Sequence, residues 1–124
     1  MSLRIKTVTM DCNDPKLICR FWSQVTGREV VDHGQEDPYW ALRDPAGRDV
    51  TLLLQKVAEG KTTKNRVHLD LHTPDLDAEV ERVAALGATI VGRYEEDGET
   101  WVWMEDPEQN EFCLCLIQDG PDST

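Results

Sequence analysis

Apolar and polar residues alternate twice along the chain, in short runs that each lead into a stretch of helical periodicity. Val8 and Met10 stand between Thr7, Thr9 and Asp11; farther on, Val67, Leu69 and Leu71 stand between His68, Asp70 and His72. A repeat of two marks a strand with one face buried. After the first run, Asn13-Asp14-Pro15 offers a side-chain acceptor followed by proline at a first helical position. Leu17, Ile18, Phe21, Trp22 and Val25 then form one apolar stripe that Gly27 can close in a left-handed cap. After the second run, Thr73-Pro74-Asp75 opens a stripe of Leu76, Val80, Val83 and Ala84, closed by Gly87, which lies 60 residues beyond Gly27. The turn Asp44-Pro45 reappears as Asp106-Pro107, 62 residues later, each before a predicted strand.

The pattern therefore predicts two copies of one module: a strand, a helix and three more strands. The expected spans are near 4–11, 15–26, 28–33, 39–43 and 49–55, then 66–72, 75–86, 88–94, 100–104 and 111–117. Module one covers about 4–56, a polar linker around Gly60 covers about 57–65, module two covers about 66–117, and 118–124 is a polar tail, all within one domain over 1–124. Such modules belong to the α+β class, with mixed sheets whose apolar faces pack on the helices.

The opposite faces are polar. Thr51, Leu53 and Gln55 alternate with Val50, Leu52 and Leu54, while Glu111, Cys113, Cys115 and Ile117 alternate with Phe112, Leu114 and Leu116. Together with Thr7, Thr9, Asp11, His68, Asp70 and His72 they would line a concave face that no helix covers, which is a candidate ligand cup. Trp101 and Trp103 alternate and so share a face, either in that cup or on the opposite face, under a helix or at a dimer seam. Trp22, on the helical stripe, is expected in the core.

Composition narrows the function classes. Over 124 residues, 24 acidic side chains outnumber 13 basic ones for a net charge of −11, which repels phosphate backbones and anionic membrane surfaces. The excess sits in residues 61–124, with 15 acidic against 5 basic. No apolar run reaches the roughly 20 residues that span a bilayer, and the N-terminus lacks a signal-peptide core, so a cytoplasmic protein is expected. Cys12, Cys19, Cys113 and Cys115 have neither zinc-finger spacing nor the density of a disulfide scaffold, so reduced thiols are expected.

The two strand-helix-three-strand modules, with Arg66-Val-His-Leu-Asp-Leu opening the second and Asp106-Pro-Glu-Gln-Asn-Glu-Phe-Cys-Leu-Cys ending it, resemble the vicinal oxygen chelate superfamily over residues 4–117. The nearest likeness is to its glyoxalase-like domains, of the glyoxalase, bleomycin resistance protein and dioxygenase type. That resemblance implies two βαβββ modules forming an open, curved mixed β-sheet cup flanked by helices, a small-molecule ligand and a homodimer. In the superfamily's metal enzymes the ligands come from the first and last strand of each module, which carries over here to Thr7, Thr51, His68 and Cys113. Of these, only His68 is a usual donor to a divalent ion.

Two readings follow. In the first, the protein binds a small molecule without the usual complete metal site, and Thr7, Thr51, His68, Asp70, Trp101, Trp103 and Cys113 line the cup. In the second, it is a lyase, isomerase or dioxygenase in which His68 moves a proton or helps hold a divalent metal with some of Asp70, His72, Glu111 and Cys113. A Cys113–His68 nucleophile pair is a further variant of that reading.

Overall fold

The computed structural model describes residues 2–31 and 38–117; the predicted tail 118–124 and the end of the strand expected over 28–33 lie outside them. The chain divides into two compact units, Met1–Gly60 and Lys61–Thr124. Each carries its own four-stranded mixed sheet and one helix, as the repeat predicts. No helix among the described residues is long and apolar enough to cross a membrane.

In the first unit the elements run β1 (Thr7–Cys12), α1 (Pro15–Thr26), β2 (Glu29–Val31), β3 (Tyr39–Arg43) and β4 (Thr51–Lys56), in sheet order β1-β4-β3-β2. Asp14 caps α1 by accepting from the Leu17 N–H, Pro15 opens it, and Gly27 closes it at φ +71°, a left-handed conformation that glycine adopts without strain. Ile18, Cys19, Phe21 and Trp22 of α1 are buried with Leu42, Leu52 and Leu54 of the sheet. Leu17, expected on the stripe, is instead 42% exposed, and Cys19 takes the buried position. Trp40 lies opposite Leu54 and so faces α1.

The second unit repeats this plan with β5 (Leu69–Thr73), α2 (Leu76–Ala85), β6 (Thr89–Glu96), β7 (Glu99–Glu105) and β8 (Glu111–Leu116), in order β5-β8-β7-β6. Leu76 and Val83 of α2 are buried with Val102, Met104, Phe112 and Leu114. Strands β6 and β7 extend to a two-residue turn, Asp97-Gly98, whose φ values of +51° and +79° suit a tight hairpin.

Both first strands start later than the alternation predicts, for the same reason. Thr7 pairs with Thr51, the first residue of β4, and Leu69 pairs with Phe112, one step into β8. Residues upstream of Lys6, whose carbonyl accepts from the Thr51 N–H, and of His68, which faces Glu111, meet no further strand and cannot extend the ladder.

The repeat offset also changes along the module. In the first unit the Val57 N–H donates to Cys12 O at 2.8 Å, and in the second the Ile117 N–H donates to Thr73 O at 2.8 Å. The donors of these equivalent closures, each just past the end of β4 or β8, lie 60 residues apart, because the β7–β8 connection, residues 106–110, is two residues shorter than the β3–β4 connection, residues 44–50. The counterpart of Thr51 is therefore Glu111, where the 62-residue offset between the Asp-Pro turns pointed to Cys113. Both connections are folded by their aspartate. The Asp44 carboxylate accepts from the N–H groups of Ala46, Arg48 and Asp49, and these bonds, Arg48 foremost, hold its pKa below the usual range. Asp106, 2% exposed, accepts from the N–H groups of Glu108 at 2.8 Å and Asn110 at 3.0 Å.

Candidate functional site

The polar face of the second sheet is built by its register. Trp103 lies opposite Cys113 and Trp101 opposite Cys115, while Asp70 and His72 lie opposite Cys113 and Cys115 from the other side. Cross-strand partners project to one face. Both tryptophans are thus on the face away from Phe112 and Leu114, whose side chains are buried beneath α2. Tyr94 of β6 stacks on Trp101 with ring centroids 5.8 Å apart and planes 23° apart. Gly92 makes room for this arrangement: a Cβ there would meet the Tyr94 hydroxyl at 2.8 Å.

One end of this face is covered. Residues 61–65, the second part of the predicted polar linker, belong to the second unit and fold against Glu111. The Glu111 side chain is 4% exposed and accepts from the Asn65 N–H at 2.7 Å, with Lys61 Nζ at 3.1 Å and Lys64 Nζ at 3.4 Å. Burial alone would raise its pKa, but the Asn65 N–H and the two ammonium groups outweigh burial and hold it below the usual carboxylate range. Lys64 Nζ also sits 4.6 Å from the centroid of the Trp103 ring, a cation–π distance. A cleft of about 160 Å³ opens beside this contact, lined by Lys64, His68, Trp101, Trp103, Glu111 and Cys113.

His68 stands one residue before β5 at the mouth of the cleft, half-exposed, with Nε2 3.1 Å from Asp70 Oδ1. The donor atoms of His68, Asp70 and Cys113 lie within 4.8 Å of one another. Burial, followed by the charge of Asp70, pushes the Cys113 thiol up, and the same causes push Cys115 up to about 11. Both are therefore thiols at neutral pH, which leaves little thiolate for a Cys113–His68 nucleophile pair.

The structure brings His68, Asp70, Trp101, Trp103, Glu111 and Cys113 together on one face of the second unit. His72 lies on that face farther along β5, opposite Cys115. Thr7 and Thr51 are neighbours across β1 and β4 of the first unit. Lys61, Lys64, Asn65 and Tyr94 are the site residues that the sequence reading missed. A signal for the first two existed: a glutamate on a strand between apolar neighbours needs cations, and the lysine-bearing segment precedes that module.

The side chains at the superfamily's ligand positions do not suit a divalent ion. Thr7 and Thr51 of the first unit bring hydroxyls without charge, and in the second unit the Glu111 carboxylate at the position facing His68 already holds two ammonium groups. The trio His68, Asp70 and Cys113 offers a nitrogen, an oxygen and a sulfur, a set that zinc accepts. Cys113 would first have to lose a proton that its surroundings retain.

Residues 7–115 match the family model described as a glyoxalase-like domain. No curated protein matches the chain. Among solved structures, a glyoxalase/bleomycin resistance protein/dioxygenase family enzyme from Burkholderia phytofirmans PsJN is 19% identical with a TM-score of 0.75, over 91% of this chain and 98% of that one. A lactoylglutathione lyase from Agrobacterium tumefaciens is 16% identical with a TM-score of 0.67, over 94% and 95%. A mutant of a genomically encoded fosfomycin resistance protein from Listeria monocytogenes, complexed with Mn(II) and a dihydroxypropylphosphonic acid, is 14% identical with a TM-score of 0.74, over 93% and 90%. At these identities the likeness is one of fold.

Proposed function

The chain belongs to the glyoxalase-like domain family, and on that premise we propose that it is a small-molecule-binding protein that works without a bound metal. The ligand lies in the cleft of the second module, against His68, Trp101, Trp103 and Cys113, with Asp70 orienting His68. Thr7 and Thr51 are the corresponding lining residues of the first module. The observation that carries this reading is the state of Glu111: a buried carboxylate with two ammonium groups within 3.4 Å already has its counter-charge and has no call for a cation. The reading extends to a homodimer in the cytoplasm, since each sheet ends on edge strands that a second copy can protect. Sedimentation at the mass of one chain would remove the dimer from it.

A second reading, a metal-dependent lyase, isomerase or dioxygenase, is supported by the His68, Asp70 and Cys113 trio and by the Mn(II) bound in the Listeria protein. In it, a bound metal would polarise a substrate oxygen and His68 and Asp70 would hold the ion or carry a proton.

The test of the first reading is a thermal-shift screen of small planar and polar compounds in the presence of a chelator. Compounds that raise the melting temperature of the wild type are expected to lose that effect in Trp103→Ala. Stabilisation of equal size in both proteins would contradict a ligand in this cleft.

A further inference from the structure

We infer that the first unit carries a ligand site of its own, a groove between α1 and strands β2 and β3 that takes a phosphate monoester with an apolar group, its phosphate held by Lys16 and Arg20. The groove has a volume of about 310 Å³, and Lys16, Cys19, Arg20, Val30 and Trp40 are among the residues that line it. That is a size small ligands fill, and about twice the cleft of the second module. All of its lining belongs to the first unit, so it is independent of that cleft.

Lys16 and Arg20 stand one turn apart on α1, a spacing that sets side chains side by side, so their like charges repel. Among the described residues neither has a carboxylate partner. The elements around the groove do not supply one. Neither α1 nor β3 contains Asp or Glu. Glu29 of β2 is next to Val30 along the strand and so projects from the opposite face of the sheet, where it lies across from Arg43. Asp14, two residues before Lys16, is off this side of the helix, and its carboxylate accepts from the Leu17 N–H. Two positive charges therefore share the groove with no carboxylate among the described residues, in a chain whose net charge is −11.

Trp40 gives an independent reason to place an acceptor here. Its ring faces α1 from β3, and its Nε1–H is closed to water and has no hydrogen-bond partner. A buried donor left without an acceptor is costly, and the adjoining groove is where an acceptor can enter. The apolar part of the ligand is set by Cys19 and by Val30, which is 46% exposed. A phosphate monoester is close to a dianion at neutral pH and carries three terminal oxygens. It matches the two cations in charge and has an oxygen for each of Lys16, the Arg20 fork and the indole, which a single carboxylate does not.

The experiment titrates the protein with phenyl phosphate, inorganic phosphate and phenol, following the indole N–H resonance of Trp40, with those of Trp101 and Trp103 as reporters of the other cleft. Phenyl phosphate is expected to move the Trp40 resonance and to bind about tenfold more tightly than inorganic phosphate, which lacks the apolar group, or phenol, which lacks the charge. Lys16→Gln and Arg20→Gln, both at exposed side chains, are each expected to weaken phenyl phosphate about tenfold, the loss of one charge-assisted hydrogen bond, with circular dichroism unchanged. Phenol binding as tightly as phenyl phosphate would overturn the anion site, and inorganic phosphate doing so would overturn the apolar part of the ligand. Undiminished affinity in both variants would overturn the role of the two cations. A Trp40 resonance unmoved by phenyl phosphate would overturn the site itself, whatever Trp101 and Trp103 report of the second module.

Discussion

Replacing Lys61 and Lys64 together by methionine is expected to destabilise the protein by about 3 kcal/mol at pH 7, because it leaves the carboxylate of Glu111 buried with no cation beside it. Lys64→Met alone, at an exposed ammonium, is expected to cost at most about 1 kcal/mol. The pH dependence separates this cause from lost packing. In the wild type the folded-state pKa of Glu111 lies below its unfolded value. Its contribution is thus fully present above the ordinary carboxylate range, near 4.3, and is lost as pH falls through the lower folded value. In the double variant, burial without cations raises the folded pKa above the unfolded one. Protonation then relieves the penalty as pH falls, and the gap between the two proteins narrows in acid. Urea unfolding at pH 7 and pH 4.5 measures both quantities. A gap below about 1 kcal/mol at pH 7, or one that does not narrow, would show that the lysines do not hold a charged Glu111.

Asp106→Ala is expected to cost about 2 kcal/mol, since it removes a buried carboxylate that accepts from two N–H groups of its own turn. The effect should reach the cleft as well. This five-residue connection sets Glu111 as the first residue of β8, so loosening it loosens the carboxylate that anchors residues 61–65. Asp106→Asn keeps one acceptor oxygen and is expected to recover about half of the loss. Stability of Asp106→Ala within about 0.5 kcal/mol of wild type, as for a plain surface change, would remove the turn from the account.

Much of this was legible in the order of apolar positions. Two alternating runs, two capped helical stripes and two Asp-Pro turns were enough to give the tandem modules and the fold class, because each signal is local. Strand starts are not legible, since Arg4 to Lys6 and Arg66 to His68 alternate well enough, but where the ladder begins depends on partner strands that start only at Thr51 and Glu111. The Asp-Pro turns do not locate the counterpart of Thr51, because the second connection is two residues shorter and shifts everything after it. That shift separates Cys113, a buried thiol, from Glu111, the charged residue at the equivalent position. Trp101 and Trp103 share a face from spacing alone, but only the pairing with Cys115 and Cys113 shows which face. Lys61 and Lys64 look like solvated linker residues until the buried carboxylate they serve is located.

The central claim, that lysine rather than metal answers the charge at this site, is tested most directly by elemental analysis. Tag-free protein purified without chelator would be incubated with zinc, nickel, manganese or ferrous iron and desalted before measurement. Far less than one ion per chain in every condition, unchanged by His68→Ala, is the result expected of a metal-independent cleft. Close to one ion per chain, lost in His68→Ala, would contradict it and establish the trio of His68, Asp70 and Cys113 as the place to look for a metal-dependent reaction.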